Sequence, residues 1–232
     1  MIIKRILLPL LISLLTSTVI FAQTSQEEIT SEDLRNLVRH DVIEGVQTTE
    51  VIGSPYLFNN FEEGVITLVD GKNTANLQLN FNIYENRVEF SDAGSIIAVD
   101  NKMVDRFAFN NTDNGMEFAK GYNSRRLDNT DFVQVLVDGQ VQLLKKYEVS
   151  FQENIATYGT ATQKDEYISN ERYYIHEDGE TNHLRNLSER QVLRALNDQR
   201  DELETYIGEN DIDTTNLEHL AKLIQHYNEI KE

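Results

Sequence analysis

The sequence predicts an α+β fold: an antiparallel β-meander, either an open sheet or a partly closed barrel, followed by a C-terminal three-helix segment packed on it. Three observations predict it. Between about residues 55 and 187, short apolar runs alternate with polar residues at a period of two. The runs are joined by brief Asp-Gly, Asn-Gly or Glu-Asn signals, too short to hold the crossover helices of a parallel sheet. From residue 188 onward the apolar spacing changes to three and four, the period of amphipathic helices.

Four segments follow in order. Residues 1–22 read as a secretory signal peptide: Lys4 and Arg5 form a basic start, and Ile6 to Ala22 is apolar or small throughout. Pro9 interrupts that run, which falls short of the roughly 20 residues a membrane span needs. Cleavage is expected after Ala22, and with no Cys in the chain there is no N-terminal thiol to carry a lipid. Residues 23–54 are polar, with Thr30-Ser31-Glu32-Asp33 opening a short helix before Leu34, Leu37 and Val38.

In the β-rich region, 55–187, Val65 to Val69 runs into Asp70-Gly71. Leu77, Leu79, Phe81 and Ile83 alternate up to Tyr84, and Val88 and Phe90 follow Glu85-Asn86. Ile96 to Val99, Met103 to Phe109 and Met116 to Phe118 continue the pattern. The clearest hairpin joins Phe132–Val137 to Gln140–Val149 through Asp138-Gly139, a pair suited to a type I′ turn. Another joins Tyr173 to Ile175 with His183-Leu184 across Asp178-Gly179. Residues 152 to 170 are polar and lack a period, so a long loop is expected there. Leu68-Val69-Asp70-Gly71 recurs as Leu136-Val137-Asp138-Gly139, a match dominated by turn chemistry and weak as a sign of duplication.

The helical segment, 188–232, opens on Ser188-Glu189-Arg190-Gln191, a capping box with Leu187 and Val192 placed as a hydrophobic staple. Helices are expected near 188–196, 199–208 and 215–230, the second restarting at Asn197-Asp198 and the third opening on a capping box from Thr215 to Glu218. Leu217, Leu220, Ala221, Ile224 and Tyr227 make a stripe on the last helix, expected to pack within the molecule.

Several of these segments resemble a family of exported proteins of Bacteroidota. The resemblance rests on Phe61-x-x-Gly64 with Leu68-x-Asp70-Gly71, Leu79-x-Phe81-Asn82-Ile83-Tyr84, Val88-Glu89-Phe90, Tyr206-Ile207-x-Glu209-Asn210 and Leu220 to Tyr227-Asn228. The signal ending Phe21-Ala22-Gln23 is similar to leaders of that phylum. The resemblance implies an envelope location, periplasmic or secreted, and a shared fold; it carries over no catalytic residues.

Composition narrows the chemistry. With no Cys there are no disulfides, thiol nucleophiles or thiolate metal sites. A net charge of −18, from 21 basic and 39 acidic residues, opposes broad contact with nucleic acid or anionic membranes. The Gly-x-Ser-x-Gly elbow, the phosphate-binding Gly-Lys loop and the dinucleotide fingerprint are all missing. Asp211-Ile212-Asp213 starts like a calcium loop, but Lys222 stands where its closing Glu belongs, and a helix connection explains it better.

Of the five histidines, His219 and His226 sit seven apart on one helix, about 10 Å along its axis, too far for one ion. His176 and His183 fall on facing strands, but a metal there needs a third ligand from Glu177, Asp178 or Glu180. Tyr147, Tyr158, Tyr167, Tyr173 and Tyr174 read first as strand-face residues and second as the lining of a sugar or peptide groove. No catalytic, cofactor-binding or metal-ligating residue is therefore assigned, and no cofactor is expected. The expected function is a non-enzymatic envelope protein acting as a binding or scaffold module, with an envelope protein as partner. The alternative is a hydrolase using acidic residues on an envelope or exogenous polymer. Exposed strand edges would favour the first, a pocket of convergent acids the second.

Overall fold

A computed structural model describes residues 28–38, 51–110, 115–156, 163–196 and 198–231, without the side chains of 154–156 and 163. The expected signal peptide and cleavage site, His40, Tyr158 and Asn197 lie outside the described residues. The elements are α1 (Ser31–Leu37), β1 (Val51–Ile52), β2 (Glu62–Leu68), β3 (Leu77–Asn82), β4 (Arg87–Asp92), β5 (Ser95–Ala98), β6 (Val104–Phe109), β7 (Met116–Ala119), β8 (Val133–Val137), β9 (Val141–Ala156), β10 (Gln163–Glu177), β11 (Glu180–Leu184), α2 (Glu189–Ala195), α3 (Arg200–Glu209) and α4 (Leu217–Lys231). The α+β class is as expected.

One sheet holds all the strands, in the order β1-β10-β9-β8-β7-β6-β2-β3-β4-β5, with β11 also paired to β10. It is antiparallel except where β1 lies parallel to β10, Val51 opposite Asp165. Strand structure thus begins at 51 rather than 55, because two residues are too few to show a period. From β2 onward the meander is broken once. β2 lies between β3 and β6, so the chain runs out through β3, β4 and β5 and then returns to the other side of β2.

That return is possible because the sheet curls. Phe81 on β3 and Phe118 on β7 are separated by β2 and β6, which in a flat sheet is three spacings of about 4.8 Å. Their ring centroids are 5.3 Å apart. Phe107, Phe109 and Phe132 join them, with Phe107 and Phe118 stacked at 4.9 Å. The inward residues Ile66, Leu79, Val88, Phe90 and Ile97 complete this core, and Leu34 of α1 and Val38 just after it pack into it. The curl stops short of a barrel: among the described residues β5 pairs only with β4.

A second core lies at the other end of the same face, where α2, α3 and α4 cover β9, β10 and β11. Val141, Leu143, Ile175 and Leu184 meet Val192, Leu193, Leu203, Ile207, Leu220, Leu223, Ile224 and Tyr227. The stripe of α4 packs within the molecule, as expected. Its centre is shifted: Leu223 is fully buried while Leu217 stays at the margin. Asn228 fixes the helix to the sheet, its Oδ1 accepting from the Val141 N–H at 2.8 Å and its Nδ2 donating to the Val141 carbonyl at 2.9 Å.

Several local expectations need correction. Residues 152–170 are not a long loop: β9 runs to Ala156 and β10 starts at Gln163. Much of this ribbon is wet on both faces, so no burial period marks its sequence. The Asp138-Gly139 turn is not type I′, since only Gly139 has positive φ, at 152°; the positive pair occurs at Asp178-Gly179, at 49° and 80°. Gly71, in the other Leu-Val-Asp-Gly copy, has φ 83°, so the two copies turn differently.

At α1 the expected start holds, with Thr30 and Asp33 forming a capping box. At α2 Ser188 is the N-cap but makes no capping bond; its hydroxyl donates to Asn186 instead. Gln199 is the N-cap residue of α3 but makes no side-chain capping bond, and Asp198 accepts from the Tyr227 hydroxyl and pairs with Lys231 at 3.1 Å. The α4 cap is Asn216 rather than Thr215, its Oδ1 accepting from Glu218 N at 2.9 Å.

Candidate functional site

The candidate site arises where strands of unequal length meet. β9 is 16 residues long and β8 only 5. β8 pairs with β9 only over residues 143 to 145, whereas β10 follows β9 to Ala156. In an antiparallel pair, alternate residues turn both N–H and C=O away from the partner. Along residues 147–152 those outward groups have no strand partner among the described residues.

A notch of about 420 Å³ opens beside this edge, lined by Ile83, Tyr84 and Asn86 on one wall and by Tyr147, Glu148 and Val149 on the other. The far wall is firmly held. Asn86, at φ 50°, donates through Nδ2 to the Thr130 carbonyl at 3.0 Å and accepts at Oδ1 from Phe132 N at 3.0 Å. The β3–β4 turn is thereby locked against the start of β8. Tyr84, 48% exposed, meets Tyr167 edge-on at 5.8 Å, and Tyr167 packs on Phe151 at 4.9 Å, so aromatic rings border the open end.

Charges at the notch are paired. Lys146 Nζ lies 2.5 Å from Asp131 and 3.9 Å from Glu148, and Arg172 Nε lies 2.7 Å from the other Glu148 oxygen. Both carboxylates are thus committed to cations. Tyr147 is anchored by its hydroxyl, which donates to Gln134 Oε1 at 2.8 Å; Lys145 Nζ lies 4.4 Å from its ring centre and bonds Glu171 at 2.6 Å. Burial holds the Tyr147 phenol above its ordinary pKa.

A larger hollow of about 570 Å³ lies between α1 and the β5–β6 connection. Its one guanidinium, Arg87, is occupied at 2.9 Å by Glu89, a fully buried acid. The Tyr56 hydroxyl donates to Glu89 at 3.0 Å, Asn82 Nδ2 donates to the other Glu89 oxygen at 3.2 Å, and Asn80 Nδ2 donates to the Phe58 carbonyl at 2.9 Å, which fastens residues 55–60 as a strap across β3. Burial first, then the Glu89 charge, pushes the Tyr56 pKa up to about 12. This cluster serves the fold. Sequence reading missed it because Glu89, between Val88 and Phe90, has the spacing of a solvent-facing strand residue, and no local signal foretells a strap over it.

The histidines go where strand register sends them. His176 Nδ1 is 2.8 Å from Thr181 Oγ1 and its ring meets Tyr122 at 5.0 Å; His183, opposite Tyr174, lies diagonal to it on the same face. His226 stacks on Tyr206 at 3.9 Å, and His219 Nδ1 accepts from Asp213 N at 3.1 Å. Asp213 caps the α3–α4 turn, accepting from Thr215 N at 2.9 Å. Among the described residues no three His, Asp or Glu side chains converge as metal ligands. Tyr147 and Tyr167 border the notch, Tyr173 flanks Lys145 at 5.9 Å, and Tyr174 is buried. No described helix is long and apolar enough to cross a membrane.

No family model, curated protein or solved structure matches this chain.

Proposed function

We propose that the protein is an exported envelope protein, of the Bacteroidota kind its sequence resembles, and that it works without catalysis by gripping an extended segment of a partner protein at the β9 edge. The observation that carries this reading is the strand edge at 147–152, without a strand partner among the described residues, beside a preformed notch. Strand addition uses such an edge for main-chain hydrogen bonds and takes its selectivity from side-chain pockets alongside. Tyr84, Tyr147 and Tyr167 supply flat apolar surface for alternate side chains of the guest. The net charge of −18 favours a basic guest over an acidic one. The two carboxylates at the notch, each already ion-paired, are poorly placed for the proton transfers of a hydrolase.

The test is capture from envelope extract by the tagged chain and by Val149→Lys, which places a charge in the edge. A partner retained by the first and lost by the second, whose binding slows amide exchange at 147–152, supports the reading. Equal capture by both, or no exchange protection at that edge, overturns it.

A further inference from the structure

The opposite problem to the chain's acidity appears on the face of β9, β10 and β11 that turns away from the helices. Arg172 stands directly opposite Lys146. The β10–β11 register ends with Tyr173 opposite Leu184, so Arg185, the next residue, follows the end of β11 beside Arg172. Like charges facing each other across a sheet are destabilising, so a row of three cations costs stability unless something offsets it.

A fourth cation joins from the loop before β8. The Arg126 carbonyl accepts from the Tyr174 hydroxyl at 3.1 Å and lies 3.4 Å from Lys146 Nζ, which holds that residue over the row. Burial first, then the charges of Arg172, Arg126 and Arg185, holds the His183 imidazole below its ordinary pKa.

The carboxylates present cover only half of this charge. Asp131 pairs with Lys146, and Glu148 with Arg172 and Lys146; Arg126 and Arg185, both exposed, have no carboxylate partner among the described residues. Four cations against two carboxylates leave two positive charges on one patch of a protein whose net charge is −18.

We infer that Arg126, Arg172, Arg185 and His183 form a binding site for one doubly charged tetrahedral oxyanion, phosphate or sulfate, free or carried as an ester. A dianion matches the local excess, and guanidinium forks offer it paired donors. A single group so held avoids the repulsion that broad contact with a polyanion meets elsewhere on this surface. The site lies on β10, β11 and the loop before β8, and it meets the notch through the Arg172–Glu148 pair.

The experiment follows the His183 ring signals by NMR while inorganic phosphate, sulfate and glycerol phosphate are added separately to the purified chain, against sodium chloride of equal ionic strength. Saturable shifts at His183, without matching shifts at His226, are expected with at least one of the three. Tighter binding of glycerol phosphate assigns the site to an ester, and equal binding to the free ion. Arg126→Gln and Arg185→Gln, both at exposed positions, should each weaken binding roughly tenfold without lowering the melting temperature. Shifts that merely track ionic strength, or affinity untouched by both substitutions, would overturn the inference. Val149→Lys should not affect this titration, so its result and that of the partner capture stand apart.

Discussion

Replacing Asn228 with Ala tests how the helical layer is held to the sheet. The Asn228 amide takes the place of a neighbouring strand at the end of β9, accepting from Val141 N–H and donating to Val141 C=O at 2.8 and 2.9 Å. Val141 is fully buried. Each bond contributes about 1 kcal/mol net, and a buried donor or acceptor left unpaired costs about 1–3 kcal/mol, so Asn228→Ala should lose about 2–4 kcal/mol. Gly139 supplies a second arm. A Cβ there would lie 2.5 Å from Asn228 Nδ2, closer than real contacts allow, so Gly139→Ala must displace the amide. Once Asn228 is already Ala, the same Gly139 change meets less obstruction, and the two losses should fall short of additive by about 1 kcal/mol or more. Urea unfolding, with midpoints compared at constant slope, reads all four corners of the cycle. Simple additivity, or a loss below about 0.5 kcal/mol for Asn228→Ala, would show that the clamp is not what joins α4 to β9.

Ile224→Ala should cost about 2–5 kcal/mol by urea unfolding, because the side chain is fully buried between α4 and the sheet. Removing everything from Ser188 should cause aggregation, visible by light scattering, since Val141, Leu143 and Ile175 lose their cover. Tyr56 and Tyr174 each have a pKa raised to about 12, so their stabilising effect is complete below pH 10 and is lost as pH rises from 10 towards 12. Tyrosinate absorbance should show late-titrating phenols, one fewer in Tyr56→Phe. Intact-mass measurement of exported material should find Gln23 at the N-terminus; retained residues 1–22 would end the leader assignment.

Elements that bury one face were legible because burial imposes a period: Leu79 and Phe81 in β3, Leu220 and Ile224 in α4. The β9–β10 ribbon was not, because Gln152, Glu153, Ser169 and Asn170 need no apolar partner when water or the adjacent strand meets them. Caps were legible only to the nearest residue. Ser188, Thr215 and Asn216 can all accept an orphan amide, and their neighbours decide which one does. The notch could not be read locally, since it depends on β8 beginning fourteen residues beyond Ala119 while β9 continues past it. The cation row was visible in part as Lys146, Arg172 and Arg185, but only strand register lines them up.

The placement of β2 also governs how the chain reaches its native state. β2 needs β6 as well as β3, β1 must wait for Asp165, and Val141 is secured only when Asn228, 87 residues later, arrives. Such distant pairings lose chain entropy before any contact rewards them, which places folding toward the slow, millisecond-to-second end of the range for small domains. A chain emerging N-terminus first therefore carries its first strand and its aromatic core incomplete for most of its synthesis. Its exposure to misassembly is greatest before the last helix appears, and a holding chaperone would have most to protect during that interval.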